Sequence, residues 1–222
     1  MLHLILADSE LETIPSELWT HPSVIKDARR RGKKAKNILL DSTYHHSAIR
    51  KFFPGEENRR GRPDIVHYFL LNTLESYLNR KNLLRVYVHT RNDEVIFVNP
   101  ETRIPKSYNR FVGLIESLFL NQYVPDKEKP LLWMKKMALR DLVSSLNTDN
   151  VFLLTEKGKN AKIENFLTFH DQVFIIGGFP SGDFISRTDF VKESISIFNE
   201  TMLAWVVAYE IIVRYEIVNK IF

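Results

Sequence analysis

There is no cysteine anywhere in the 222 residues. That absence excludes disulfides, thiolate metal sites and cysteine nucleophiles, and it suits a reducing cytoplasm, where the protein is expected. No apolar run is long enough to span a bilayer, because Glu210 and Arg214 break the C-terminal one. The first residues, MLHLILADSELE, lack a basic n-region and soon turn acidic, so no signal peptide is expected there. There is no internal repeat and no low-complexity tract. The seven histidines show no ligand spacing of the H-E-x-x-H kind, and no catalytic triad is apparent. No metal site is expected. His45 and His46 point about 100° apart on a helix and read as one surface and one partly buried histidine.

Hydrophobic residues make up 44% of the chain and aromatics 12%, the composition of a folded globular protein. The length allows one large domain, or one domain with an insertion. Net charge is +4 and the pI about 9.2, a mild bias towards nucleic acid. The distribution says more. Arg29, Arg30, Arg31, Lys33, Lys34 and Lys36 form one cluster; Arg59, Arg60 and Arg62 a second; Arg103, Lys106 and Arg110 a third. Each alone reads as solvated surface, but three in the same half of the chain favour an anionic partner.

Along the chain, Leu2 to Ala7 reads as a strand ended by Asp8 and Ser9, and Val24 to Lys36 as a helix. Asn37 to Leu40 is predicted as a short strand and Tyr44 to Phe53 as a helix stopping near Pro54-Gly55. Arg85 to His89 and Val95 to Val98, with Asn92-Asp93 between them, predict a β-hairpin, an added element near residues 83–99. Tyr108 to Leu120 and Leu139 to Leu146 have helical spacing, and Pro125 and Pro130 bound a charged loop. In the last third, strands at Val151–Leu154, Gln172–Ile176 and Glu193–Phe198 alternate with loops before a helix from Met202 to Ile217. That alternation favours an α/β fold with a parallel sheet.

The most informative stretch is Arg59 to Leu71, RRGRPDIVHYFLL. Proline is tolerated in the first turn of a helix, so Arg62-Pro63-Asp64 reads as a helix start, and apolar Ile65, Val66, Phe69, Leu70 and Leu74 continue at helical spacing. Asp64 suits the positive end of the helix dipole. It is also placed to orient Arg62, whose planar fork suits phosphate or a base edge. A second stretch, Ile175 to Phe184, is a strand running into the glycine-rich turn IIGGFPSGDF. Glycine there permits positive φ and close ligand approach, at the strand end where parallel sheets bind ligands. The spacing fits neither the Rossmann GxGxxG nor the P-loop.

Three segments in order carry a resemblance: RGRPDIVH, then Asn99 to Phe111 (NPETRIPKSYNRF), then IIGGFPSGDF. Across essentially the whole chain the sequence resembles the pseudouridine-N1-specific rRNA methyltransferases of the nucleolar essential protein (NEP/EMG) family, in an archaeal form. The resemblance implies one SPOUT methyltransferase domain over residues 1–222, with a trefoil knot in about 150–200. It implies S-adenosylmethionine as cofactor, in loops Leu153–Gly158, Gly177–Gly182 and Ser194–Glu200. Within them it points to Leu154, Thr155, Gly177, Gly178, Gly182, Ile195, Ser196, Ile197, Phe198, Asn199 and Glu200. The third loop departs from the family pattern, since Phe198 and Thr201 stand near the places of a further serine and a proline. RNA contacts carry over onto Arg62, Arg103, Lys106 and Arg110, with Asp64 as the acid that stabilises the first. Arg62, Asp64 and Arg110 are the candidate catalytic positions. If Pro105 starts a helix, the three- and four-residue steps from Arg103 to Lys106 to Arg110 put these charges on one face. The activity implied is methylation of N1 of a pseudouridine in small-subunit (16S) rRNA during ribosome biogenesis, by a homodimer. The alternative is an rRNA-binding assembly factor whose methyl transfer is dispensable. The C-terminal helix, with Leu203, Val206, Val207 and Ile211, reads as a dimer interface or as part of its own core.

Overall fold

Alternating apolar strands and amphipathic helices build one eight-stranded sheet with helices on both faces. The structure, a computed structural model, describes residues 1–221. Its strands are β1 (Leu2–Ser9), β2 (Leu84–Thr90), β3 (Glu94–Val98), β4 (Tyr123–Val124), β5 (Leu132–Lys136), β6 (Val151–Asn160), β7 (Gln172–Gly177) and β8 (Glu193–Ser196). Its helices are α1 (Pro22–Arg31), α2 (Ser42–Phe52), α3 (Pro63–Leu74), α4 (Tyr77–Arg80), α5 (Tyr108–Asn121), α6 (Leu139–Ser145) and α7 (Ala204–Val218).

The sheet order is β4-β5-β3-β2-β1-β7-β6-β8. Strands β2, β1, β7, β6 and β8 pair in parallel, as the alternation predicts. The hairpin of β2 and β3 is present, and it is extended by β5 and β4 into an antiparallel wing. The sheet is therefore mixed, and of its five parallel strands β6, β7 and β8 fall within residues 150–200.

One face carries the larger core. There Leu4, Leu6, Val86, Phe174 and Ile176 meet α3, α5 and α7, and Ile65, Val66, Phe69, Leu70 and Leu74 of α3 are buried. The other face is covered by α6, with Ile5, Val95, Val173 and Ile175 beneath it. A third cluster joins α1 and α2 through Val24, Ile38, Ala48 and Ile49. The C-terminal helix divides its apolar residues: Val207 and Ile211 enter the core, whereas Leu203 and Val206 are exposed.

Several expectations are corrected. Helix α1 stops at Arg31, because Gly32 adopts φ 59° and caps it with a left-handed turn. Residues 37–40 do not form a strand: a 3-10 turn occupies Ala35–Asn37, and Leu39 makes one isolated bridge to Thr13. Strand β6 does not turn at Thr155 but runs on to Asn160, with a register shift against β8. Gly158 permits that crossing, since a Cβ there would lie 2.6 Å from the Ile195 backbone. Helix α5 begins at Tyr108 rather than Pro105, which leaves Arg103 and Lys106 outside it. His45 is wholly buried, its Nδ1 accepting from the Asp41 amide at 3.1 Å.

His3 on β1 gives this fold a pH signature. It is 8% exposed, with Nδ1 3.3 Å from the Tyr87 hydroxyl. Burial pushes its pKa down to about 4, against the pull of Asp171 and with help from the N-terminal ammonium and Arg85. The folded chain keeps His3 neutral while the unfolded chain takes up a proton below about pH 6.5, so stability falls as pH drops through that window. The loss is up to about 3 kcal/mol at ~1.4 kcal/mol per pH unit. Urea midpoints at pH 7 and pH 4.5 should show it, and His3→Gln should flatten the difference; an unchanged pH dependence in that variant would refute the assignment.

Candidate functional site

Parallel strands β7 and β8 end at one cavity of about 440 Å³, and the middle of β6 runs along it. Strand β6 supplies Leu154, Thr155 and Glu156; the segment after β7 supplies Gly177 and residues 179–184; β8 and the segment after it supply Ile195 to Phe198 and Glu200 to Leu203. Helix α3 adds Arg62 and Ile65, and α7 adds Trp205 and Val207. The place is the one expected for a ligand in a parallel sheet, outside the carboxyl ends of the strands.

Backbone contacts shape the wall after β7. Gly178 donates its N–H to Ala7 O at 2.7 Å, and a Cβ on it would sit 2.4 Å from Ser9 Oγ. Glycine there lets β1 and the turn approach, but Gly178 itself lies off the cavity. Gly182 takes φ +88°. Asp8, at φ 50°, holds the far end of this segment: its carboxylate accepts from the Ile185 amide at 2.6 Å, the Ser186 amide at 2.9 Å and Ser186 Oγ at 2.6 Å. Burial alone would push the Asp8 pKa up, but His89 and these donors outweigh it and the net shift is downward. At the mouth, Lys157 pairs with Asp183, and Thr201 Oγ1 donates to Glu156 at 2.6 Å. Asn199 stands outside the lining, its side chain accepting from Asn160 at 2.8 Å.

Arg62 occupies the N-cap position of α3, and its side chain stands at the cavity wall. Its Nε and Nη2 donate to the two oxygens of Asp64 at 2.8 and 2.7 Å. Both side chains are 32% exposed, so the pair is reachable from solvent. The bond to Asp64 is the main cause that raises the Arg62 pKa. Nearby, the Tyr108 hydroxyl donates to Asp41 at 2.6 Å; burial, then that bond, pushes its pKa up.

Arg103, Lys106 and Arg110 are exposed, and among the described residues their side chains form no ion pair. They stand on a rigid support. Thr102 and Ile104 are buried, and His67 of α3 donates from Nε2 to Pro105 O at 2.8 Å. The basic segment is thus tied to the helix that starts at Arg62, although the helical-face argument for it does not hold.

The second basic cluster divides. Arg59 and Arg60 are ion-paired to Glu10 and Glu12, which are buried, and leave Arg62 as its outward member. Arg59 also donates from Nη1 to Asp183 O at 2.6 Å and lies 4.2 Å over the Phe179 ring. Sequence reasoning missed this, and missed Phe179, Trp205 and Leu203 in the wall. The signal for Arg59 was its neighbour Arg62; for Trp205, its place at the start of a helix that follows the third loop.

Among the described residues no group of three or more acidic or histidine side chains could hold a metal ion. Among them, too, no helix is long and apolar enough to cross a membrane.

The sequence profile of the EMG1/NEP1 methyltransferases matches residues 4–216. The ribosomal RNA small subunit methyltransferase Nep1 of Pyrococcus furiosus is 50% identical over 219 residues, covering 97% of this chain and 96% of that protein. The Thermoplasma acidophilum protein of the same name is 47% identical, with 97% of each chain covered. Among solved structures, Archaeoglobus fulgidus Nep1 bound to S-adenosylhomocysteine superposes with a TM-score of 0.88 at 38% identity, covering 98% of both chains.

Proposed function

The chain belongs to the EMG1/NEP1 methyltransferase family, and from that membership we propose that it methylates N1 of a pseudouridine in small-subunit rRNA. It is a small-subunit rRNA methyltransferase with S-adenosylmethionine as methyl donor. The observation that carries the finer reading is the placement of Arg62, oriented by Asp64, in the wall of the cavity at the ends of β7 and β8.

The cavity fits the cofactor. Its volume lies in the range of small-molecule sites. Leu154, Ile176, Ile195 and Ile197 give an apolar wall for an adenine ring, and the acids at the rim, Glu156, Asp183 and Glu200, suit a cationic sulfonium. When bound, S-adenosylmethionine supplies a methyl group activated by its positive sulfur. Segments Leu153–Gly158 within β6, Gly177–Gly182 from the end of β7 and Ser194–Glu200 from β8 onward would hold it, with Gly178 and Asn199 supporting rather than lining the wall.

Arg62 binds the target nucleotide and presents it to the cavity. Asp64, with both oxygens occupied by that guanidinium, acts through Arg62. Arg110, Arg103 and Lys106 bind backbone phosphates; such contacts position RNA, while specificity comes from the unstacked base. In pseudouridine the sugar is bonded through carbon, so N1 carries a proton and is free to react; in uridine the sugar blocks it. The chemical task is to hold an extruded base in a near-attack geometry. A substrate in rRNA supports a location with ribosomes, in the cytoplasm.

Exposed Leu203 just before α7, and Val206 and Tyr209 on it, with the Tyr68 ring of α3 centred 5.0 Å from that of Trp205, form an apolar face at the cavity edge. A second copy of the chain on this face would complete the site, so we read the enzyme as a homodimer.

Matched rRNA hairpins with pseudouridine or uridine at one loop position test the reading. Methylation of the pseudouridine hairpin alone, with the methyl on N1, is expected. Equal methylation of both would overturn N1 specificity, and tight binding without product would favour the assembly-factor alternative. Light scattering of the same preparation should give twice the chain mass; a monomer would remove the dimer and leave the reaction standing.

A further inference from the structure

We propose that the C-terminal end of α1 and the turn after it form a second phosphate-binding surface, which holds the RNA stem flanking the target loop. The proposal rests on the rRNA reading above. The ordinary explanation for basic residues in the last turn of a helix is the dipole, and it covers Arg29, Arg30 and Arg31. It does not cover Lys34 and Lys36, which lie beyond the Gly32 cap. Among the described residues, the side chains of Arg29, Lys34 and Lys36 are exposed and form no ion pair or hydrogen bond.

The surface is held in place by a buried acid. Glu116 of α5, 4% exposed, accepts from Arg31 at 2.6 and 2.8 Å, from Lys33 at 2.6 Å and from the Leu39 amide at 3.1 Å. These bonds fix the end of α1 to the helix whose first turn carries Arg110.

A continuous path leads there from the cavity. Gly61, next to Arg62, accepts from the Ser42 amide at 2.8 Å, and Asp41, next to Ser42, accepts from the Tyr108 hydroxyl. Asp41 caps α2 through the Thr43 amide at 2.8 Å. One turn on, Tyr44 is 41% exposed and carries the Arg30 guanidinium 4.5 Å from its ring centroid. Asp27, which pairs with Arg30 and Arg31, is buried, as are Asp41 and Glu116. The charge this path shows to solvent is therefore positive, and an RNA strand leaving Arg62 meets cations from Arg110 to Lys36.

The test uses the full chain, the variant Arg29→Gln/Lys34→Gln/Lys36→Gln, and two hairpins with the same pseudouridine loop, one with a short stem and one with a long stem. Affinities are measured by fluorescence anisotropy over a salt series. Each phosphate neutralised adds about 0.9 to the slope of log K against log salt. The triple variant should therefore flatten the long-stem slope by about 2 to 3 and leave the short-stem slope unchanged. Equal slopes for wild type and variant on the long stem would overturn the proposal, as would an equal loss on both stems. Failure of the wild-type chain to bind either hairpin would take down the rRNA reading and this surface with it.

Discussion

Replacing Arg62 with alanine is expected to lower kcat/KM for hairpin methylation by about 10²–10³-fold, the usual cost of removing one preorganised charged donor. Affinity for S-adenosylhomocysteine should change by less than about twofold, since the loops assigned to the cofactor lie on the β6, β7 and β8 side of the cavity. The expected size follows from two effects acting together. The guanidinium is held in one orientation by two bonds to Asp64, so little ordering remains when RNA arrives. Its removal also leaves Asp64, 32% exposed, as an unpaired negative charge facing a polyanion. Lysine should not rescue the variant, because a point charge cannot match the bidentate geometry. Asp64→Asn should give a smaller loss. If Asp64 acts through Arg62, the double variant should be no worse than Arg62→Ala alone. Additive losses would assign Asp64 a role of its own, and a matching fall in cofactor affinity would move Arg62 out of the RNA site.

The elements that were legible in the sequence are those whose signals are local. Helix α3 combines a proline at its first turn with apolar residues at helical spacing, and it forms over Pro63–Leu74 as read. Strands β1 and β7 carry the apolar runs Leu4–Ala7 and Val173–Ile176, buried on both faces. The extension of β6 was not legible, because Thr155 to Asn160 is polar and its pairing comes from β8, through Lys159 and Asn160 beside Ile195 and Ser196. Strand β5 has no clean alternation either; it is held by β3, where Trp133 stacks on Phe97 at 5.2 Å. The site shows the same division. The sequence pointed to Arg62 and to the glycine turn, since each has a local signature. It could not separate Arg62 from Arg59 and Arg60, whose acids lie on a segment dozens of residues earlier. Nor could it place Gly178 against Ser9 instead of the ligand cavity.

Arg59→Met is the variant expected to expose that hidden support. Its Nε donates to the fully buried Glu10 at 2.6 Å, and Nη1 reaches Asp183 O across the glycine turn. The guanidinium also covers Phe179, which lines the cavity. Breaking a buried pair costs roughly 3–5 kcal/mol, and the lower end applies here because Arg91 still bonds Glu10 at 2.6 Å. A urea titration should therefore show a loss of about 3 kcal/mol. The turn would also lose its anchor, and S-adenosylhomocysteine affinity should fall about tenfold, an effect of ~1.4 kcal/mol. Arg59→Lys separates the two consequences. An ammonium can neutralise Glu10, so most of the stability should return; it cannot bond Glu10 and the Asp183 carbonyl through one planar fork, so cofactor affinity should stay low. Recovery of both in the lysine variant would reduce Arg59 to a counter-charge. Recovery of stability alone would show that the loop read as RNA-facing also sets the shape of the cofactor wall, with Arg59 turned inward to that wall and Arg62, three residues on, turned out to the substrate.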